Sequence, residues 1–206
     1  MNRIEFRNNF LKAIIHNKSL IAMFLLFIIS FVCGSGLAKN ADSFTNEFIK
    51  GIVTNFVSVR TDSSFLIVLF NSFFSCAGFL LLFYVIGLCA VGPVLSPLVL
   101  AFKGIGCGML VGFLYATYEL KGIAFTAIII LPPMLLFTII YIFASREAFK
   151  FSVIFFKTLL PNIKQTGLNS SFRMYCARFV FMVFICIIGA LLDAILTSAF
   201  IRFFSF

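Results

Sequence analysis

The chain has 206 residues, 62% apolar and 11% charged, with a mean hydropathy of +1.15. Soluble domains are about half apolar and about a quarter charged, so this composition excludes a soluble enzyme, a disordered tail and a disulfide-stapled secreted module. The formal net charge of +9 points to membrane topology and anionic lipid, with no nucleic-acid partner, because the cations are scattered along the flanks of apolar runs. The expected fold is all-α. It is a polytopic transmembrane helical bundle of about five spans plus interfacial amphipathic helices, in one integral membrane domain over 1–206.

Residues 1–18 place Phe6, Phe10, Ile14 and Ile15 at helical spacing, with Arg3, Arg7 and Lys12 away from them. That pattern predicts an amphipathic helix on the cytoplasmic surface. Ser19 to Ala38 carries no charge and reaches about 30 Å as a helix, one bilayer core. Gly36-Leu37-Ala38 faintly resembles a signal-peptide cleavage site. The apolar run is longer than a usual signal core and follows a long amphipathic segment, so a retained signal-anchor is expected. Cys33 lacks the small preceding residue of a lipoprotein signal.

Phe44, Phe48, Ile52 and Phe56 are spaced by four after a plausible N-cap at Asp42 or Ser43. They predict a helix on the outer face of the bundle. Phe65 to Phe102 is charge-free but would run nearly 60 Å as one helix. Gly92-Pro93 and Ser96-Pro97 break it, giving spans at 65–91 and 97–118. A short turn at Glu119, Lys121 and Gly122 leads to span four at 123–144. Ser145 to Cys176 reads as the largest cytoplasmic piece. In it Phe149, Val153, Phe156 and Leu160 form one helix face, Pro161 ends that helix, and Asn162 to Ser171 is a flexible connector. Span five covers 177–201. For all three helices outside the bilayer, packing against lipid and bundle is the plainer reading, and a docking surface for a partner the sharper one.

Five spans put the termini on opposite sides. With the N-terminus cytoplasmic, the inner segments hold Arg3, Arg7, Lys12, Lys18, Arg146, Lys150, Lys157, Lys164, Arg173 and Arg178 against Glu5 and Glu147, a net +8. The outer segments hold Lys39, Lys50, Arg60, Lys121 and Arg202 against Asp42, Glu47, Asp62 and Glu119, a net +1. Lys103 and Asp193 cancel within the spans. The asymmetry predicts N-in and C-out.

Little catalytic chemistry is available. The single His16 is juxtamembrane, and only Asp193 lies within a span, so neither a serine-type nor an aspartyl intramembrane protease assembles. No HExxH, Cys-x-x-Cys or Gly-rich phosphate loop occurs, and no cofactor is implied. The six cysteines read as small apolar packing residues. Asp193 is tolerable: 14 Leu, Ile, Phe or Val residues of span five contribute about −4 to −8 kcal/mol, against about 2.5–3.5 kcal/mol for one central Asp. It is expected to bond a Ser, Thr or Asn of another span, or to serve a proton or ion path. Lys103 differs from it in depth by about 12 Å, so snorkelling to the inner surface is expected in place of a direct pair. Gly104, Gly108 and Gly112 form a small-xxx-small ladder, read as a helix-packing face. Pro132-Pro133 predicts a kink or break in span four.

Gly92-Pro93, Pro97, Phe102-Lys103-Gly104, Gly108, Val111-Gly112-Phe113-Leu114, Gly122 and Leu131-Pro132 together resemble the stage II sporulation protein M family of integral membrane proteins. The clear likeness covers about a fifth of the chain. The resemblance implies a non-enzymatic component of a bacterial cytoplasmic membrane. Such members act with extracytoplasmic cell-wall hydrolases or their membrane anchors in septal peptidoglycan thinning and forespore engulfment. Pro97, Lys103, Gly104, Gly108, Gly112 and Pro132 carry over as motif positions, not as catalysts. The segment with Phe44, Phe48, Ile52 and Phe56 is the natural partner surface. The alternative expectation is a permease subunit working as a homo-oligomer or with a separate ATPase, motivated by Asp193, Lys103 and the broken span four.

Overall fold

The computed structural model describes residues 18–39, 47, 50–53, 55, 56, 60, 64–159 and 168–200. The expected amphipathic helix before Lys18, the Asp42 or Ser43 cap, Phe44 and Phe48 lie outside these residues. The main helices are α1 (Lys18–Lys39), α2 (Phe65–Leu88), α3 (Gly92–Phe125), α4 (Leu131–Leu159) and α5 (Leu168–Phe200), with a π-helical turn at Thr126–Ile130 between α3 and α4. No strand occurs among the described residues. Five stretches are long and apolar enough to cross a membrane, namely Lys18–Lys39, Phe65–Leu88, Gly92–Tyr118, Gly122–Thr158 and Asn169–Phe200. The chain is an all-α helical bundle of the multi-pass membrane type.

Large apolar side chains such as Ile29, Phe74, Phe102 and Phe181 point outward, as expected where lipid is the solvent. Close backbone approach forms the seams. A β-carbon on Gly104 would lie 2.9 Å from Ser30 Cβ, and one on Gly112 would lie 2.9 Å from the Ser35 carbonyl oxygen. One on Gly108 would strike the Phe31 carbonyl, and one on Gly34 the Ile105 carbonyl. The glycine ladder of α3 therefore meshes with Ser30, Gly34 and Ala38 of α1, a second small-xxx-small ladder, all three residues buried.

The α2–α3 turn falls where glycine and proline place it. Pro93 sits in the first turn of α3, where a missing N–H costs nothing. The Cys89 carbonyl accepts from Gly92 N–H at 3.1 Å and from the Ser152 hydroxyl of α4. A β-carbon on Gly92 would meet Ser152 Cβ at 2.6 Å. Span three begins earlier than expected, at Gly92 in place of Pro97, and Pro97 is an interior helix residue.

Helical hydrogen bonding runs through residues 119–122, where the sequence predicts a turn. The reversal is there all the same. A β-carbon on Gly122 would collide with the Leu114 carbonyl, and eight residues of straight helix would hold those positions about 12 Å apart. The chain thus doubles back as a tight helical hairpin. Pro132-Pro133 disturb the helix as expected, and the disturbance appears one turn earlier. Each proline removes a donor and crowds the carbonyl four residues before it, so residues 126–130 widen into a π turn. Leu131 N–H then bonds back to the Thr126 carbonyl.

The segment after Ser145 corrects an expectation. It is no separate surface helix, because α4 continues unbroken to Leu159. On the face expected from Phe149, Val153, Phe156 and Leu160, Phe149 is half-buried against the core, Val153 is half-buried, and Leu160 lies outside the described residues. Phe156 is 50% exposed, while Ser145, Glu147, Ala148, Phe151 and Ser152 are buried. The polar side chains face in because partners wait there: Ser145 Oγ reaches the Ser96 carbonyl at 3.2 Å, and Glu147 pairs with Arg178 and with Arg146. Helix α5 likewise starts earlier than the expected span five, at Leu168, with the membrane-crossing stretch from Asn169.

Replacing Gly108 with leucine must push α1 away from α3. It is expected to cost about 1–3 kcal/mol, read as a lowered unfolding temperature of the detergent-solubilised protein. A β-carbon on Gly106 meets nothing within 4 Å, so Gly106→Leu is expected to unfold within a degree or two of the parent.

Candidate functional site

Polar residues of four helices converge inside the bundle. On α2, Asn71, Ser72, Ser75 and Cys76 fall on neighbouring ridges one turn apart. Lys103 and Cys107 face them from α3, Thr138 and Tyr141 from α4, and Asp193 from α5. Phe56 and Arg60, from the segment between α1 and α2, close one end. Together they line a cavity of about 200 Å³. A water molecule's share of liquid is about 30 Å³, so the space suits roughly six waters or a small polar solute.

Asp193 is fully buried and holds the centre of the polar network. Its Oδ2 accepts from Arg60 Nη2 at 2.7 Å and from the Ser72 hydroxyl. Burial pulls the Arg60 guanidinium below its ordinary basicity, and the charge and hydrogen bond of Asp193 oppose that pull. The guanidinium also lies 3.7 Å above the centre of the Phe56 ring, a cation–π contact strengthened by desolvation. Two atoms are left over. Asp193 Oδ1 and Arg60 Nε are buried with no hydrogen-bond partner among the described residues. Both belong to cavity-lining residues, and together they offer one acceptor and one donor.

Lys103 behaves differently from the snorkelling expectation. Its Nζ stays in the bundle, 4.1 Å from the Phe79 ring centre and 5.5 Å from that of Tyr141. The aromatic faces supply the negative potential that a membrane surface would otherwise offer. No carboxylate lies within ion-pair distance of it among the described residues. Lys103 and Asp193 share the cavity without pairing directly, as their difference in depth predicts. With Arg60, the lining carries two cations against one anion.

The other singled-out residues are dispersed. Gly104, Gly108 and Gly112 form the α1–α3 seam, Pro97 lies inside α3, and Pro132 follows the π turn beside the cavity-lining Pro133. Of the expected partner surface, Ile52 is 54% exposed, while Phe56 packs inward over Arg60. Val53, between them, is buried against Phe113, Leu114 and Phe125. No cluster of three or more metal-ligating side chains occurs among the described residues.

Ser72 of α2 is the kind of partner expected for Asp193, a serine of another span, whereas sequence reasoning missed Arg60. A usable signal existed. Asp193 lies seven residues from the end of α5 at Phe200, about 10 Å along the helix. Arg60 approaches from that same end, just before α2 begins. The depth argument that separates Lys103 from Asp193 therefore favours Arg60. No protein-family model, curated protein or solved structure matches the chain.

Asp193→Asn leaves the Arg60 guanidinium buried without a counter-charge and is expected to cost about 3–5 kcal/mol. The double replacement Arg60→Met with Asp193→Leu removes both charges and is expected to recover most of that loss. A double-mutant cycle of unfolding temperatures in detergent checks both. With Arg60→Met and Asp193→Leu as the single variants, a double-variant loss equal to the sum of the two single losses would show that the side chains are not coupled.

Proposed function

We propose that this chain is a non-enzymatic membrane scaffold of the stage II sporulation protein M type. It positions extracytoplasmic peptidoglycan hydrolases, or their membrane anchors, at a bacterial cytoplasmic membrane. The charge asymmetry supports an N-terminus in the cytoplasm and a C-terminus outside. In that orientation the segment between α1 and α2 faces the wall.

The observation that carries this reading is how that segment is held. Arg60 ties it to α5 through Asp193, and Val53 plugs it into the apolar cluster formed by the hairpin within α3 and the π turn that follows it. A short extracytoplasmic segment fixed at two points presents Lys50, Gly51 and Ile52 outward in one arrangement. A docking platform benefits from that, because ordering a loop on binding costs affinity. The family-like Gly104, Gly108 and Gly112 act as packing positions in the same frame.

The cavity favours a second reading, a permease subunit. A carboxylate and two cations around a space of about 200 Å³ suit passage of a small polar solute, and α4 beyond Ser145 would then be the element that engages a cytoplasmic ATPase.

In-membrane cross-linking of a tagged full-length copy in its host separates the two. The scaffold reading expects a wall hydrolase or its anchor in the cross-linked product, lost when Ile52 is replaced by aspartate. A cytoplasmic ATPase in its place, insensitive to that change, would overturn it. So would a deletion strain with normal septal wall thinning and normal hydrolase localisation.

A further inference from the structure

A second concavity lies on the outside of the bundle, between α4 and α5, away from the central cavity. It measures about 710 Å³. Most of its wall is apolar: Leu136, Ile139 and Phe143 on α4 face Phe181, Met182 and Ile185 on α5. Only one end is charged, where Arg146, Glu147 and Lys150 of α4 meet Arg178 of α5. From Leu136 to Lys150 the groove follows α4 for about 21 Å, most of one leaflet and its headgroup layer.

The charges at that end do not cancel. Glu147 is buried and pairs with Arg178 and, at 3.6 Å, with Arg146. Three cations against one carboxylate leave a net charge of +2. Lys150 is exposed, and half of the Arg178 side chain is open. Glu147 braces two guanidiniums against the groove mouth, and guanidiniums bind phosphate oxygens in pairs. Below the mouth, Phe143 and Phe181 are 40% and 66% exposed, so the apolar trough is open from the side.

An occupant must therefore be amphiphilic, with an anionic head and an apolar tail running along the helices. We infer that the α4–α5 groove is a binding site for an anionic glycerophospholipid of the leaflet at this basic end. Its phosphate is held by Arg146, Lys150 and Arg178, and one acyl chain lies over Ile139, Phe143 and Phe181. Basic pockets between membrane helices recognise such headgroups. The inference needs the bundle alone and is independent of what the opposite face recruits.

Native mass spectrometry of the full chain in neutral detergent tests it, with dioleoyl phosphatidylglycerol titrated against dioleoyl phosphatidylcholine. The acyl chains are identical, so only the headgroup differs. At about 1 kcal/mol per cation, or about fivefold, the phosphatidylglycerol complex is expected at least tenfold tighter. Lys150→Gln is expected to remove about fivefold of that preference, and Lys150→Gln with Arg178→Gln nearly all of it. Should the double variant not fold, Lys150→Gln decides, because that side chain is exposed. Ile139→Trp, which fills the trough, is expected to weaken both lipids. Equal affinity for the two lipids, or a preference unchanged in Lys150→Gln, overturns the inference. Displacement of phosphatidylglycerol by millimolar inorganic phosphate does so as well, since it would mark a free-anion site.

Discussion

A leucine that faces lipid gains nothing by turning inward. Five helices of this composition can be held together only by what lipid lacks, which is close backbone approach and partners for polar groups. The architecture follows from that constraint. Where α1 meets α3, two ladders of small residues let main chains touch. Where α2, α4 and α5 meet, a carboxylate, a guanidinium and hydroxyls do the joining. The apolar bulk of the sequence is largely turned outward.

The polar centre and the packing seam serve different ends. The seam is dry and tolerates no added atom at Gly108. The centre is roomy and keeps Asp193 Oδ1 and Arg60 Nε without partners among the described residues. A buried ion pair is a poor source of stability compared with well-packed apolar side chains. Its value here is positional, since it fastens a segment outside the membrane to the last helix. Lys103, held over two aromatic rings, gives the same space a second positive pole without a salt bridge.

How much of this is legible in the sequence depends on what each residue type can do. Span number follows from long apolar runs with few charges, and those runs become the helices, although α3 and α5 begin earlier than the runs suggest. Gly104, Gly108 and Gly112 read correctly as a packing face because glycine at four-residue spacing has few other uses in a membrane. Beyond Ser145 the sequence reads as a separate cytoplasmic helix, where α4 in fact runs on. Phe149, Val153 and Phe156 draw the eye by their spacing, while the small Ser145, Ala148 and Ser152 are the fully buried positions. Asp193 is conspicuous as a residue, but its partner is not, because charge counting along flanks assigns Arg60 to the solvent. The π turn ahead of Pro132-Pro133 is half legible: proline announces a disturbance, while its one-turn offset depends on where the displaced carbonyls find room.

The tie between Arg60 and Asp193 also has a consequence for how the chain is made. Synthesis runs from the N-terminus, and 132 residues separate the two partners. The guanidinium leaves the ribosome long before the carboxylate exists, and α2 to α4 must be threaded before α5 arrives. Until then Arg60 has to stay where water can reach it, because a solitary cation in hydrocarbon is costly. Arrival of the last helix is thus what draws the early segment down onto the bundle. A chain halted before Asp193 would carry its earlier spans with the segment between α1 and α2 lacking its ionic latch.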